Sequence, residues 1–415
     1  MCYNVGKLQR VVGECMAYPL SQRIRSIAPS PTLTIDSKTK ALIAAGMDIV
    51  NLTAGEPDFP TPMKASLAGI AAIVENFTKY TPAAGIPALR MGIAEKLQQE
   101  NGLSYDPEEI IVSSGAKHSL YNVFMAILDP GDEVVLPSPY WVSYPEQIRL
   151  CGATPVIVKT DEASGFKMTP QQLRDALTGR TKAVLINSPG NPTGAMYTQE
   201  EIEALADVLE QHDAYVVSDE IYEQLTYDLS HYSIARHSRA MRDRTFVVNG
   251  FSKTHAMTGW RVGYVAAPKP LVDAMSSFQS HATAHPSNIS QRAALGALGT
   301  FTRDTVEEFR RRRDFVVERL GVLPGIRNTV PQGAFYVFPN AAGLVGRTYR
   351  KSGGETTVIG SVGQLCELLL TDARISVVPG DGFGAPDNFR ISYATSMAQL
   401  EKAMDRLAAF TALIE

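Results

Sequence analysis

Between about residue 85 and residue 300 the chain alternates short apolar runs with amphipathic stretches of helical period. The runs are Ile110–Val112, Glu133–Leu136, Pro155–Val158, Ala183–Ile186, Tyr215–Val217, Phe246–Val248 and Val262–Ala266. Short, nearly continuous apolar runs bounded by turn residues predict strands buried on both faces. Strands alternating with helices predict an α/β architecture, with a mostly parallel seven-stranded sheet flanked by helices. After residue 300 the texture changes. A long charged helix, Arg303–Leu320, leads into short strands around Ala334–Phe338, Ile375–Val378 and Phe389–Ser392, then a last helix, Met397–Leu413. This predicts a smaller α+β domain. It would be completed from the N-terminal side by a helix over Asp36–Ala45, closed by Gly46, and by an extended Asp48–Leu52. The predicted organisation is an extension at 1–16, a first part of the small domain at 17–55, a large domain at 56–300 and the rest of the small domain at 301–415. Asn340–Gly363, rich in Gly, Ser and Thr, reads as an exposed loop.

Composition narrows the class. At 415 residues the chain exceeds the size at which single cores stop growing. A hydrophobic share of 45%, a charged share of 20% and a net charge of −4 are ordinary for a globular protein. They give no electrostatic case for nucleic acid or an anionic membrane. No apolar stretch approaches the roughly 18 residues of a membrane span. Residues 1–15 carry Lys7 and Arg10 but no apolar centre, so they do not read as a signal peptide, and Met16 would serve as an alternative start. The cysteines Cys2, Cys15, Cys151 and Cys366 form no CxxC pair and read as free thiols in a reducing, cytoplasmic compartment. His281 and His285 are four apart, a spacing that places both on one helix face; without a third ligand they read as a surface or interface pair, with no metal.

The chemistry centres on Lys253. The apolar run Thr245–Phe251 stops just before it, and a small-residue turn, Ser252-Lys253-Thr254, follows. A lysine at the end of a buried strand is poorly solvated, which lowers its pKa and frees the amine as a nucleophile. Arg261, eight residues on, places a fixed positive charge beside it. A nucleophilic amine next to an anion site suits a phosphorylated aldehyde. The segment Ser252-Lys253-Thr254-His255-Ala256-Met257-Thr258-Gly259-Trp260-Arg261-Val262-Gly263 resembles the cofactor-lysine motif of the class I aminotransferases of PLP fold type I. That resemblance implies pyridoxal 5′-phosphate (PLP) as cofactor, with Ser252, Lys253 and Arg261 in contact with it.

Other strings match the same family in the same order, from about Leu20 to Phe410. Ser113-Ser114-Gly115-Ala116-Lys117 follows a strand and opens a helix, where unpaired N–H groups favour an anion. An ordinary tight turn is the plainer reading, and the resemblance makes Gly115, Ala116 and Lys117 phosphate contacts. Asp219 ends a strand and could be a helix cap; the resemblance pairs it with the pyridine nitrogen, and Tyr222 and Asn191 with the phenolic oxygen. Trp141, in Pro137-Ser-Pro-Tyr-Trp141-Val-Ser-Tyr144-Pro145, is a core residue or, by resemblance, stacks on the ring. Arg390, inside an apolar strand, needs an anion: a structural salt bridge, or by resemblance the substrate's α-carboxylate. Gly55 would approach the substrate. Tyr80 would reach the partner subunit's cofactor phosphate, implying a homodimer with shared sites.

Within the family the chain looks most like the bacterial aspartate and prephenate aminotransferases. Thr32 and Lys117 match that subgroup's elements for a distal carboxylate; the lesser alternative is that Lys117 merely faces solvent on the first helical turn. His118 stands where the subgroup usually has Gln, and His281 and His285 stand where it has Gln and Asn. The resemblance implies reversible transfer of an amino group from an L-amino acid, aspartate or glutamate, to a 2-oxo acid by a ping-pong cycle, with Lys253, Asp219 and Tyr222 catalytic. The alternative is a β-eliminating C–S lyase or a biosynthetic cyclase on the same fold, since the cofactor carries the chemistry and the pocket selects the bond. A regulator would need a DNA-binding domain ahead of this fold, for which the roughly 20 preceding residues show no basic helical pattern.

Overall fold

The computed structural model describes residues 20–29, 31–351 and 353–415. The expected extension at 1–16, with Cys2, Cys15, Lys7 and Arg10, lies outside the described residues, as do Met16 and Ser30. The first long helix runs Pro31–Ala44, earlier at its start than the pattern predicts, because the β-branched Thr32 and Thr34 hide its first turn. Strand β1, Val50–Asn51, follows.

Seven strands then build one sheet: β2 (Ile110–Ser113), β3 (Glu133–Ser138), β4 (Thr154–Lys159), β5 (Thr181–Asn187), β6 (Tyr215–Asp219), β7 (Thr245–Gly250) and β8 (Gly263–Ala266). Their order is β2-β8-β7-β6-β5-β3-β4. Each of the seven apolar runs is one of these strands. All are parallel except β8, which pairs antiparallel with both β2 and β7. β2, β7 and β8 are buried along their whole length, as strands covered by helices on both faces must be. The parallel strands end on one edge, and β8 begins there. Open α/β sheets place ligands at that edge.

Two glycines set the spacing at this edge. Gly250 pairs with Gly263 across β7 and β8. A Cβ on Gly263 would lie 2.3 Å from the Ala116 amide nitrogen, and one on Gly250 would lie 2.9 Å from the Gly263 Cα. The lysine turn and the start of the helix Ala116–Ile127 can therefore meet only over bare backbone.

The remaining strands are short. β9 (Tyr336–Val337) is followed by a hairpin of β10 (Thr348–Arg350) and β11 (Thr356–Val358), then β12 (Ile375–Ser376), β13 (Val378–Pro379) and β14 (Phe389–Ser392). β13, β14 and β9 form an antiparallel sheet, and β1 pairs parallel with β12. The exposed loop read over Asn340–Gly363 is corrected here. It holds the hairpin and buries Ala341, Leu344, Tyr349 and Ile359; its Gly and Ser content conceals these few apolar anchors. The run Ile375–Val378 is split between two sheets. The reading of His281 and His285 on one helix face also fails, because the helix Lys269–Ala282 ends between them. Among the described residues, no helix is long and apolar enough to cross a membrane.

Gly263→Ala is expected to destabilise the fold by about 1–3 kcal/mol through overpacking, read as a lower urea midpoint. An unchanged midpoint would show that the strand edge yields without cost.

Candidate active site

A cavity of about 490 Å³ opens at the sheet edge. Lys253, three residues past β7, reaches into it and donates from Nζ to the Gly55 carbonyl. Its turn is held from outside the sheet. Thr61 donates to the Ala256 carbonyl at 3.1 Å, and Thr258 to Glu56 at 2.7 Å. Ala256 and Arg261 both adopt positive φ, 50° and 57°, which non-glycine residues accept only when the surroundings enforce it. Burial, then the neighbouring Arg390, lowers the Lys253 amine to about 8, against the opposing pull of Glu56. The amine is thus still mostly protonated at pH 7, but its free fraction is far larger than that of an ordinary lysine.

Around it the cavity gathers Gly55, Ala116, Lys117, Trp141, Asn191, Asp219, Tyr222, Ser252, Arg261, Arg390 and Thr32. Gly115 caps the helix Ala116–Ile127 from φ +87°, and a Cβ there would sit 2.4 Å from the Arg261 guanidinium. Arg261 donates to the Thr258 carbonyl at 2.8 Å and the Ser114 carbonyl at 3.4 Å. The backbone amides of Ala116 and Lys117, at the first helical positions, have no intrahelical acceptor.

Asp219 ends β6 fully buried. It accepts from the Tyr144 hydroxyl at 2.7 Å and from the Ile221 amide at 3.2 Å. Burial nevertheless lifts it to about 6, against the Tyr144 bond, and it makes no ion pair among the described residues. The Tyr222 hydroxyl lies 3.0 Å from that of Tyr336. Arg390, on β14, is 3% exposed. It donates to Asn191 at 2.9 Å and to the Thr53 carbonyl at 2.8 Å, stacks on Tyr336, and leaves its Nε unpaired. The salt-bridge alternative for Arg390 is not met among the described residues. Lys117 is exposed toward the cavity, its Nζ 4.9 Å from the centre of the Trp141 ring. Burial, then Arg261, lowers its pKa.

Tyr80 is set apart from this group. It is 91% exposed and meets His285 edge to face at 5.7 Å between ring centres. Sequence reasoning passed over Tyr144, Tyr336, Thr53 and the pair Asp36 and Lys40, which joins at 2.7 Å on the cavity wall. Tyr144 stood inside the quoted Trp141 string; the others gave no local signal, because only tertiary packing brings them here.

The family model of aminotransferase class I and II matches residues 47–407. The chain belongs to that family. It is 48% identical to an aspartate aminotransferase of Geobacillus stearothermophilus over 94% of its length and 98% of that protein. An aspartate/prephenate aminotransferase of Cereibacter sphaeroides is 44% identical, over 95% of this chain and 98% of the other. Among solved structures, the aspartate aminotransferase of Rhizobium meliloti superposes with a TM-score of 0.91 at 42% identity, covering 96% and 100% of the two chains. That of Thermus thermophilus with maleate gives 0.88 at 44%, covering 95% and 100%. The protein is an aminotransferase of PLP fold type I, and the lyase and cyclase alternatives are not favoured. Enzymes of this family use PLP.

Because Lys253 titrates near 8 in the fold and at 10.5 ordinarily, the unfolded chain holds its proton through that interval. Its cost to stability is full below pH 8 and fades as pH rises toward 10.5. Lys253→Met should therefore raise the melting temperature of the cofactor-free aminotransferase at pH 7. The advantage should shrink by pH 10.5. Equal melting curves at both pH values would refute the lowered titration.

Proposed function

We propose that this aminotransferase moves the amino group of aspartate or glutamate to a 2-oxo acid, with PLP held in the Lys253 cavity of a homodimer. The single observation that carries the acidic-substrate reading is a set of cations in one cavity, Lys117, Arg261 and Arg390, with no ion-pair partner among the described residues. A phosphorylated cofactor and a dicarboxylic substrate would supply three anionic groups to match them. The Thermus relative was solved with maleate, itself a dicarboxylate.

The residues present fit PLP. A buried carboxylate raised to about 6 and lacking a cation suits a protonated ring nitrogen. A cradle that a Cβ on Gly115 would fill, with Arg261 behind it and free amides in front, suits a phosphate. Asp219 would hold the proton at the ring nitrogen, and Tyr144 would fix the carboxylate that does so. Tyr222 and Asn191 would address the phenolic oxygen, Trp141 the ring face, and Ser252 and Arg261 the phosphate. When bound, PLP supplies the electron sink that makes the substrate's Cα–H acidic. Lys253, its pKa lowered toward neutrality by burial and Arg390, would in its free-amine form take the Cα proton and return it as a general acid–base. Arg390 would grip the α-carboxylate through a planar fork already aimed by Asn191 and Thr53, fixing which bond at Cα faces Lys253. Lys117, with Thr32 opposite, would take the distal carboxylate.

The dimer rests on a separate surface. The helix Met63–Val74 buries Ala65, Gly69 and Ala72 inward and leaves Met63, Leu67, Ile70 and Val74 more than half exposed on one stripe. Contiguous exposed apolar surface of this kind marks an interface. Tyr80, exposed nearby in sequence, would then enter the neighbouring subunit's site.

Three measurements test this reading. Amino acids added singly to the PLP-loaded enzyme without an oxo acid should change its visible absorbance most readily for aspartate and glutamate. Lys117→Gln should lower kcat/KM for aspartate by about tenfold or more while sparing alanine, as expected for a lost charged hydrogen bond. Equal losses on both substrates would remove Lys117 from recognition. By sedimentation, the native chain should run as a dimer and the Leu67→Asp/Ile70→Asp variant as a monomer. A monomeric native chain would end the shared-site reading.

A further inference from the structure

The phosphate turn is fixed by a residue that does not line the cavity. At Ser113–Lys117, each backbone N–H that is not spent inside the fold is available to an anion. The Gly115 amide is spent on the Ser113 carbonyl at 2.8 Å. The Ser114 amide is spent on the Nδ1 of His118, at 3.2 Å. On the other side of the same residue, the Ser114 carbonyl receives the Arg261 guanidinium at 3.4 Å. Ser114 is thus pinned at both ends, by His118 from within the helix and by Arg261 from the lysine loop. Only the amides of Ala116 and Lys117 are left facing outward.

We infer that His118 is a positioning residue for the cofactor phosphate, acting through its Nδ1 bond to the Ser114 amide. His118 is the third helical residue after the Gly115 cap, the position from which Gln or Glu side chains reach back to cap a helix start. A histidine does this only as the tautomer carrying its proton on Nε2, since Nδ1 must accept. The bond holds the turn in the conformation in which Gly115 keeps its φ of +87° and the Arg261 guanidinium stays close against it. Loss of the acceptor would free the Ser114 amide and let the turn relax away from Arg261. Binding of the phosphate would weaken, and contacts to the ring, made by Asp219, Tyr222 and Trp141, would not.

This inference rests on the reading that the turn holds the cofactor phosphate, and the test separates the two. The quantity to measure is the affinity of the cofactor-free full chain for PLP divided by its affinity for pyridoxal, which lacks the phosphate, followed by tryptophan fluorescence. His118→Ala should lower this ratio about fivefold, the effect of one lost hydrogen bond. His118→Gln, which restores an acceptor, should hold it within about twofold. Arg261→Ala tests the underlying reading and should lower the ratio further. If Arg261→Ala leaves the ratio unchanged, the turn is not the phosphate site and both readings fall. If Arg261→Ala lowers it and His118→Ala does not, only the role of His118 falls. A His118→Ala variant that binds both compounds equally poorly would reveal a purely structural residue, and a Gln variant as weak as Ala would exclude the hydrogen bond as the cause.

Discussion

The active site is built around positive charge that the protein does not neutralise. Lys253, Arg261 and Arg390 converge on one cavity and make no ion pair among the described residues. Burying cations without anions is unfavourable, and the fold answers with carbonyls and rings. Arg390 is given the Thr53 carbonyl, the Asn191 amide oxygen and the face of Tyr336. Arg261 is given two main-chain oxygens. Lys253 responds by shedding its proton more easily. A lysine whose pKa is lowered is the better nucleophile near neutral pH, so the imbalance favours the role proposed for Lys253.

A second buried cluster, beginning one residue beyond Asp219, is treated in the opposite way. Lys96 pairs with Glu223, and His231 lies 3.1 Å from Glu220. Burial works against a charged His231, yet Glu220 and Glu223 raise its titration overall. Asn101 donates to Glu223, and Ser218 and Ser233 both donate to one oxygen of Glu220. There each buried carboxylate faces a basic group of the same chain, which offsets part of the cost of burying it. The charges of this cluster face opposite charges within the chain, whereas the cations Lys253, Arg261 and Arg390 of the cavity make no ion pair among the described residues.

Much of this was legible in the sequence because the parallel sheet delivers its chemistry at strand ends. Each of Asp219, Asn191, Gly115 and Lys253 sits within a few residues of an apolar run that could be read directly. The groups that were missed do not share that address. Tyr336 opens the two-residue β9, Thr53 lies in a connecting segment, and Asp36 and Lys40 lie on a helix tied to β12 through Thr39 and Ser376. Their roles depend on contacts across hundreds of residues, which no local pattern records. The hairpin within 340–363 was missed for another reason: small residues dominate its composition, while a few apolar ones decide its fold.

The short stretch from Thr53 to Gly55 carries a consequence of its own. Two of its carbonyls, two residues apart, are each held by a cavity cation: Thr53 by Arg390 and Gly55 by Lys253. Both cations are the groups that ligands would claim. A group that engaged the Lys253 amine would compete with its bond to Gly55, whereas the Thr53 bond also serves to aim the Arg390 guanidinium. The stretch is therefore fastened at both ends to side chains that come from distant parts of the chain. The helix Pro31–Ala44 and β1 lead directly into it, so the N-terminal wall of the cavity is moored by two of the same cations that define its interior.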